Sequence, residues 1–198
     1  MNRKGVLAAA IATALLAALP AHGEKGDWLV RARGLYINPS ASSTALNLDV
    51  STEWTPELDF SYFVTRNVAL ELILATQRHT VTAGGVDIGT VKHLPPTLTL
   101  QYHFMPEETF RPYVGAGINY TRFYDVNLGG GAFTVDKNSW GGALQTGFDY
   151  GLTKSVFLNF DIKKIWMDTD VKAAATGASV ANLKIDPLIV GVGLGWKF

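Results

Sequence analysis

Nine charged side chains share one feature: each falls on the polar register of a segment whose alternate residues are apolar. They are Arg31, Arg33, Glu57, Asp59, Glu71, Asp149, Asp161, Lys163 and Lys197. Carboxylates and cations in this arrangement could run acid–base chemistry or pair with one another inside a fold. Acid–base hydrolysis would need a Ser/His/Asp-type set or paired acids within reach of a substrate. The histidines are His22, His79, His93 and His103. His103 falls among the acidic positions, where a hydrogen-bonded core role is the commoner one. His79 and His93 stand at opposite ends of one connection and could meet, but two histidines without a third ligand are a weak metal signal. There are no cysteines, so neither a thiol nucleophile nor a disulfide framework is available. Gly129-Gly130-Gly131 lacks the strand-to-helix context of a phosphate loop and reads as a loop tip. The residues therefore predict no enzyme, no cofactor and no metal.

The elements that must position these side chains are strands. In the first, Trp28, Val30, Ala32, Gly34 and Tyr36 oppose Leu29, Arg31, Arg33, Leu35 and Ile37. Period-two alternation recurs around residues 57–62, 68–75, 97–104, 113–120, 140–150, 156–163 and 188–198, which gives eight strands of membrane-crossing length. The connections at 64–67, 105–111 and 151–155 are short. Those at 38–53, 79–94, 122–138 and 168–182 are long and rich in Gly, Ala, Ser, Thr and Asp. Short turns on one side and long loops on the other mark outer-membrane barrels, with the short turns and both chain ends in the periplasm.

Alternation has no inside or outside of its own, since a soluble barrel shows the same period with its apolar face inward. The aromatics argue for lipid. Trp28, Tyr62, Phe104, Tyr150, Trp196 and Phe198 fall at one end of the apolar face, and Tyr36, Tyr120, Trp140 and Trp166 at the other, as two interfacial girdles would. The opposite face mixes Gly and Ala with charges of both signs, which suits a narrow lumen. The expected fold is all-β, an eight-stranded antiparallel transmembrane β-barrel of outer-membrane type.

Residues 1–23 read as a signal peptide: Arg3 and Lys4, an apolar run from Val6 to Leu19, then Pro20 and a small-residue site ending at Gly23. Residues 24–198 would form the barrel. No later apolar run reaches the roughly 20 residues that a spanning helix needs. The balance of 17 basic against 17 acidic residues argues against a nucleic-acid partner.

Three segments carry a family resemblance: Thr90-Val91-Lys92-His93-Leu94-Pro95-Pro96-Thr97-Leu98, the run Phe110 to Thr121 (Phe-Arg-Pro-Tyr-Val-Gly-Ala-Gly-Ile-Asn-Tyr-Thr), and Asp186-Pro187 before the last strand. In these the chain resembles the outer membrane protein W (OmpW) family. The resemblance implies an eight-stranded barrel that helps small hydrophobic molecules cross the outer membrane and releases them sideways through its wall. Outer-membrane lipids, the barrel-assembly machinery and small hydrophobic ligands are the partners expected.

An eight-stranded barrel is narrow enough to be filled by side chains, so a general aqueous pore is not expected. Sorted by height, Leu35, Ile37, Ile73, Ala75, Phe123, Ile165, Met167 and Ile189 make an apolar ligand funnel in the outer lumen. The nine charged residues make a salt-bridged plug at the periplasmic end. Pro95 and Pro96 donate no backbone hydrogen bond, so at the outer end of the fourth strand they would leave a gap facing the third, a lateral exit. The same prolines could simply end a loop. A structural or adhesive barrel acting through its long loops is the alternative function.

Overall fold

The computed structural model describes residues 25–198, so the leader expected over residues 1–23 lies outside the described residues. Fifteen strands form one antiparallel sheet: β1 (Trp28–Asn38), β2 (Ser42–Ser43), β3 (Leu48–Val50), β4 (Glu53–Phe63), β5 (Val68–Ala75), β6 (Gln77–Ala83), β7 (Val86–Leu94), β8 (Thr97–His103), β9 (Phe110–Leu128), β10 (Phe133–Val135), β11 (Asn138–Gly151), β12 (Val156–Ile165), β13 (Asp168–Ala173), β14 (Ser179–Lys184) and β15 (Leu188–Lys197). Eight of them close a barrel in the order β1-β4-β5-β8-β9-β11-β12-β15, because β1 pairs with both β4 and β15. Closure leaves no open edge at which backbone groups would go unpaired in lipid.

The faces are inverted relative to a water-soluble barrel. Leu58, Leu70, Leu72, Leu98, Leu100, Val114, Ile118, Leu144 and Val192 are exposed, while Arg31, Asp59, Glu71 and Asp161 have no accessible surface. A contiguous band of this kind needs a hydrocarbon solvent. Aromatic pairs bound the band: Trp28–Tyr62 and Phe110–Phe148 at the end carrying the short turns, and Tyr36–Trp54 and Tyr120–Trp140 at the other, with centroids 4.8–5.3 Å apart.

The long connections differ from the loops expected of them, because most are strands. β6 and β7 form a hairpin turning at Gly84-Gly85, both at positive φ (56° and 83°), as a two-residue primed turn demands. β10, β13 and β14 extend the wall upward on the other side. The segment after β1 folds inward: β2 pairs with β14 and β3 with β6, which closes a second, upper ring above the aromatic girdle. These segments also alternate. Val81, Val91, Val171, Ala181 and Leu183 are buried inside the ring.

Candidate functional site: a charge layer beneath an apolar cavity

The lumen is stratified. At the level of the lower girdle, Lys197 pairs with Asp27 at 3.0 Å, and Leu29, Phe63, Ala69 and Phe157 make a small apolar cluster. Above them lies a charge layer. Arg31 meets Asp149 at 2.8 Å, Asp59 at 3.1 Å and Glu71 at 3.5 Å. Arg33 meets Asp59 at 2.6 Å, Glu57 at 2.7 Å, Glu71 at 3.3 Å and Asp161 at 3.5 Å. Lys163 bridges Glu57 at 2.6 Å and Asp161 at 3.2 Å. Three cations thus face five carboxylates. Neutral donors stabilise the excess negative charge: Tyr113 Oη donates to Asp161 (2.7 Å), Gln145 Nε2 and Thr99 Oγ1 to Glu71 (2.7 and 2.8 Å), and Asn159 Nδ2 to Asp149 (2.9 Å). Burying a charge costs several kcal/mol unless it is paired and hydrogen-bonded, and here every member is both.

Space for these long side chains comes from glycine. Arg31 and Arg33 lie opposite Gly195 and Gly193, and a Cβ on Gly191 would stand 2.9 Å from Leu35 Cδ2 and 3.4 Å from Arg33 Cδ. His103, buried beside the layer, lies 3.1 Å from Gln101 Oε1 through Nε2 and meets the Phe63 and Tyr113 rings in tilted contacts.

Of the residues placed in the funnel, Leu35, Ile37, Ile165 and Ile189 pack directly above the charge layer as part of one buried apolar cluster, with Met167 and Phe123 higher in it. Ile73 is buried, and so is Ala75, which borders a recess in the wall. The open space lies higher still, in the upper ring, as an apolar cavity of about 130 Å³. Its walls include Val50, Val81, Val91, Val171 and Leu183, and Phe123 is the funnel residue that lines it. These walls lie in segments whose Gly, Thr and Ala content is that of loops. The alternation of Val81 and Val91 around Gly84-Gly85 was the available signal.

Two histidines border the cavity, whose accessible surface is wholly apolar. His79 and His93 meet, with stacked rings 5.1 Å apart, and both are buried. His79 Nδ1 donates to the Ser51 carbonyl oxygen at 2.8 Å, and His93 Nε2 lies 2.8 Å from Gln77 Oε1. The hairpin bearing them stands above the upper girdle. There burial keeps both imidazoles neutral, pushing His79 below its ordinary value and His93 down to about 3, with His79 adding to the effect on His93.

Pro95 and Pro96 separate β7 from β8. The ladder joining the third and fourth wall strands has rungs at Ile73↔Thr97 and Gln77↔His93 and none between, so Leu74–Thr76 and Leu94–Pro96 are unpaired across the break. The Pro95 and Pro96 carbonyls turn the other way, toward β9, accepting from Asn119 Nδ2 and Tyr120 N. Beside the break the wall is recessed. The recess is lined by outward-facing Ala32, Leu58 and Leu74 and by inward-facing Arg33, Glu57 and Ala75. Pro56 lines it too. It lies outside the alternating segment at 57–62 because β4 starts four residues earlier, at Glu53.

Residues 24–198 match the family model described as the OmpW family. The chain belongs to the OmpW family. It is 42% identical to the uncharacterized outer-membrane protein y4mB of Sinorhizobium fredii (86% of this chain, 80% of that one). It is 37% identical to outer membrane protein W of Vibrio cholerae (93% and 96%). A more distant relative, 27% identical over 91% of this chain and 93% of its own, is the dibenzothiophene metabolism operon protein PahQ of Pseudomonas aeruginosa. Among solved structures, the outer membrane protein OprG from Pseudomonas aeruginosa superposes with a TM-score of 0.78 at 29% identity, covering 88% of this chain and 97% of that one. This OmpW-family chain is therefore an outer-membrane β-barrel set in lipid, as its exposed apolar band requires.

Proposed function

We propose that this barrel takes small hydrophobic molecules from outside the cell into the cavity of the upper ring and releases them sideways into the outer membrane. It catalyses no reaction in this reading. The upper ring faces the exterior, and the short turns and both termini face the periplasm. The carrying observation is the stacking of an apolar cavity on a fully paired charge layer, with a filled apolar stratum between them. A hydrophobic guest gains by entering the cavity and would have to displace buried ion pairs to continue downward, which costs several kcal/mol. The charge layer thereby acts as a plug.

The missing rungs between Leu74–Thr76 and Leu94–Pro96, beside a recess lined from both faces, favour exit at that point. Cavity and recess share no lining residue, so passage requires the foot of the β6–β7 hairpin to move. The name of the relative PahQ, which links it to dibenzothiophene metabolism, is consistent with apolar cargo. Surrounding lipids and the barrel-assembly machinery are the partners of this reading.

The test is uptake of a small hydrophobic probe into proteoliposomes bearing the refolded barrel. Wild type should exceed empty liposomes, Val91→Trp should abolish the difference by filling the cavity, and Pro95→Ala/Pro96→Ala should reduce it. Wild-type uptake no faster than empty liposomes would refute transport. Normal uptake by the proline double variant would refute the exit alone.

A further inference from the structure

The outer surface of the upper ring is unevenly charged. Arg78 on β6 and Lys92 on β7 are directly opposite one another, and both point outward, since Gln77, His79, Val91 and His93 beside them are buried. Like charges in this position destabilise a sheet unless another group compensates them. One acid does so, Asp125, which meets Lys92 at 2.6 Å. Arg122 points outward on β9, between buried Thr121 and Phe123, and has no ion-pair partner among the described residues. The other acids of this wall, Asp49 and Asp87, are level with Thr82, four residues above Arg78. Three cations thus stand against one carboxylate. Farther round the ring the lysines are compensated: Lys172 pairs with Asp136, Lys184 stands opposite Asp168, and Lys164 donates to the Asp186 carbonyl oxygen.

Height identifies what the basic face meets. Arg122 is two residues above Tyr120, whose ring packs on Trp140 in the upper girdle, and Lys92 is level with Tyr124. On tilted strands these positions are roughly 5–10 Å above the girdle, at the depth of lipid headgroups. Directly beneath, Thr76 and Leu94, two residues below Arg78 and Lys92, border the recess, whose outward-facing walls include Ala32, Leu58 and Leu74. A cationic face over an apolar hollow is complementary to an anionic headgroup over an acyl chain.

We propose that Arg78, Lys92 and Arg122 dock the phosphorylated headgroup of an outer-leaflet lipid, with one of its acyl chains lying in the recess. This rests on the upper ring facing the exterior and is independent of transport. A free phosphate gains the headgroup contacts alone, and salt screens those at an exposed surface.

Native mass spectrometry of the full barrel in a non-ionic detergent, titrated with diphosphoryl lipid A, reads the interaction. Wild type should hold one such lipid, less tightly as salt rises, and should bind phosphatidylcholine and inorganic phosphate far more weakly. Arg78→Gln, Lys92→Gln and Arg122→Gln should each weaken binding about fivefold, the worth of one cation at a lipid surface. Arg122→Gln is the most informative of them, because it leaves no ion-pair partner stranded. Lys164→Gln/Lys172→Gln/Lys184→Gln removes three charges from the compensated side and should leave binding unchanged. Each variant is compared once its gel mobility shows a folded barrel. No lipid A on wild type, equal loss from both sets, or no loss from Arg122→Gln overturns the docking face. Leu74→Trp should weaken binding by filling the recess, and unchanged binding there overturns the seat of the acyl chain. Orientation is read separately. The chain has no cysteine, so Val86→Cys at the exposed hairpin tip should react with an impermeant maleimide on intact cells. No reaction overturns the orientation, and with it the choice of leaflet, while leaving the lipid contact itself standing.

Discussion

The lower and upper halves of the lumen solve the same packing problem with opposite materials. Below, three cations and five carboxylates are locked together by ion pairs and neutral donors, and glycines on β15 make room for them. Above, valines, leucines and Phe123 enclose space that they do not fill, and no polar atom opens onto it. A dense polar network is costly to disturb and is well placed to act as a barrier. An under-packed apolar ring gives up some stability and gains a place for a guest.

The largest effect should come from breaking the lower half. Arg33→Met leaves five carboxylates facing two cations and should cost about 3–5 kcal/mol in urea unfolding followed by gel mobility. Adding Asp59→Asn should return part of that loss. If the single variant unfolds like wild type, the layer does not act as a unit.

Next is the boundary between the halves. Gly191→Ala puts a methyl group 2.9 Å from Cδ2 of the fully buried Leu35, which must shift, while Arg33 Cδ stays at ordinary contact distance, 3.4 Å. Overpacking of this kind costs about 1–3 kcal/mol by the same assay.

Acid should weaken the upper half selectively. His93 is protonated near 6.5 when unfolded but near 3 when folded, so between these values the unfolded state binds more protons. Stability from the neutral imidazole is therefore complete above pH 6.5 and falls as pH drops toward 3. Glu53, close to His79, offsets part of the corresponding loss there. At pH 5 the loss for the β6–β7 hairpin should be about 2 kcal/mol, read as faster amide exchange in Gln77–Leu94 than in β12 and β15. Uniform acceleration would contradict the assignment.

The smallest effect has the opposite sign. Val81→Leu extends one methylene into the cavity and should raise stability by about 0.8 kcal/mol while slowing probe uptake. An enlargement in the filled stratum, Ala143→Val, should destabilise instead.

Much of this architecture was legible in the chain. Each charged residue of the layer was recognisable as inward-facing, because a strand assigns side chains to faces with period two and lipid forbids the reverse assignment. Their partners were not legible: Arg31 and Asp149 are 118 positions apart, and closure of the barrel and the register around it bring them within 2.8 Å. Lys197 shows the limit well, since its type and face were clear, yet its height puts it with Asp27 below the layer. In the upper ring, polar and glycine-rich composition hid a weaker alternation, and Pro56 lay just before the segment whose pattern was recognised.

Sequence alone determined the β class, the inverted faces, the girdles and the inventory of buried charge, because all of these follow from local periodicity and the cost of burying polar groups. The tertiary structure decided which charges pair, where the lumen is filled and where it is left open, and that Gln77 and His93 stand between the cavity and the break in the wall. Those outcomes depend on register and barrel closure, which join residues that no local pattern connects.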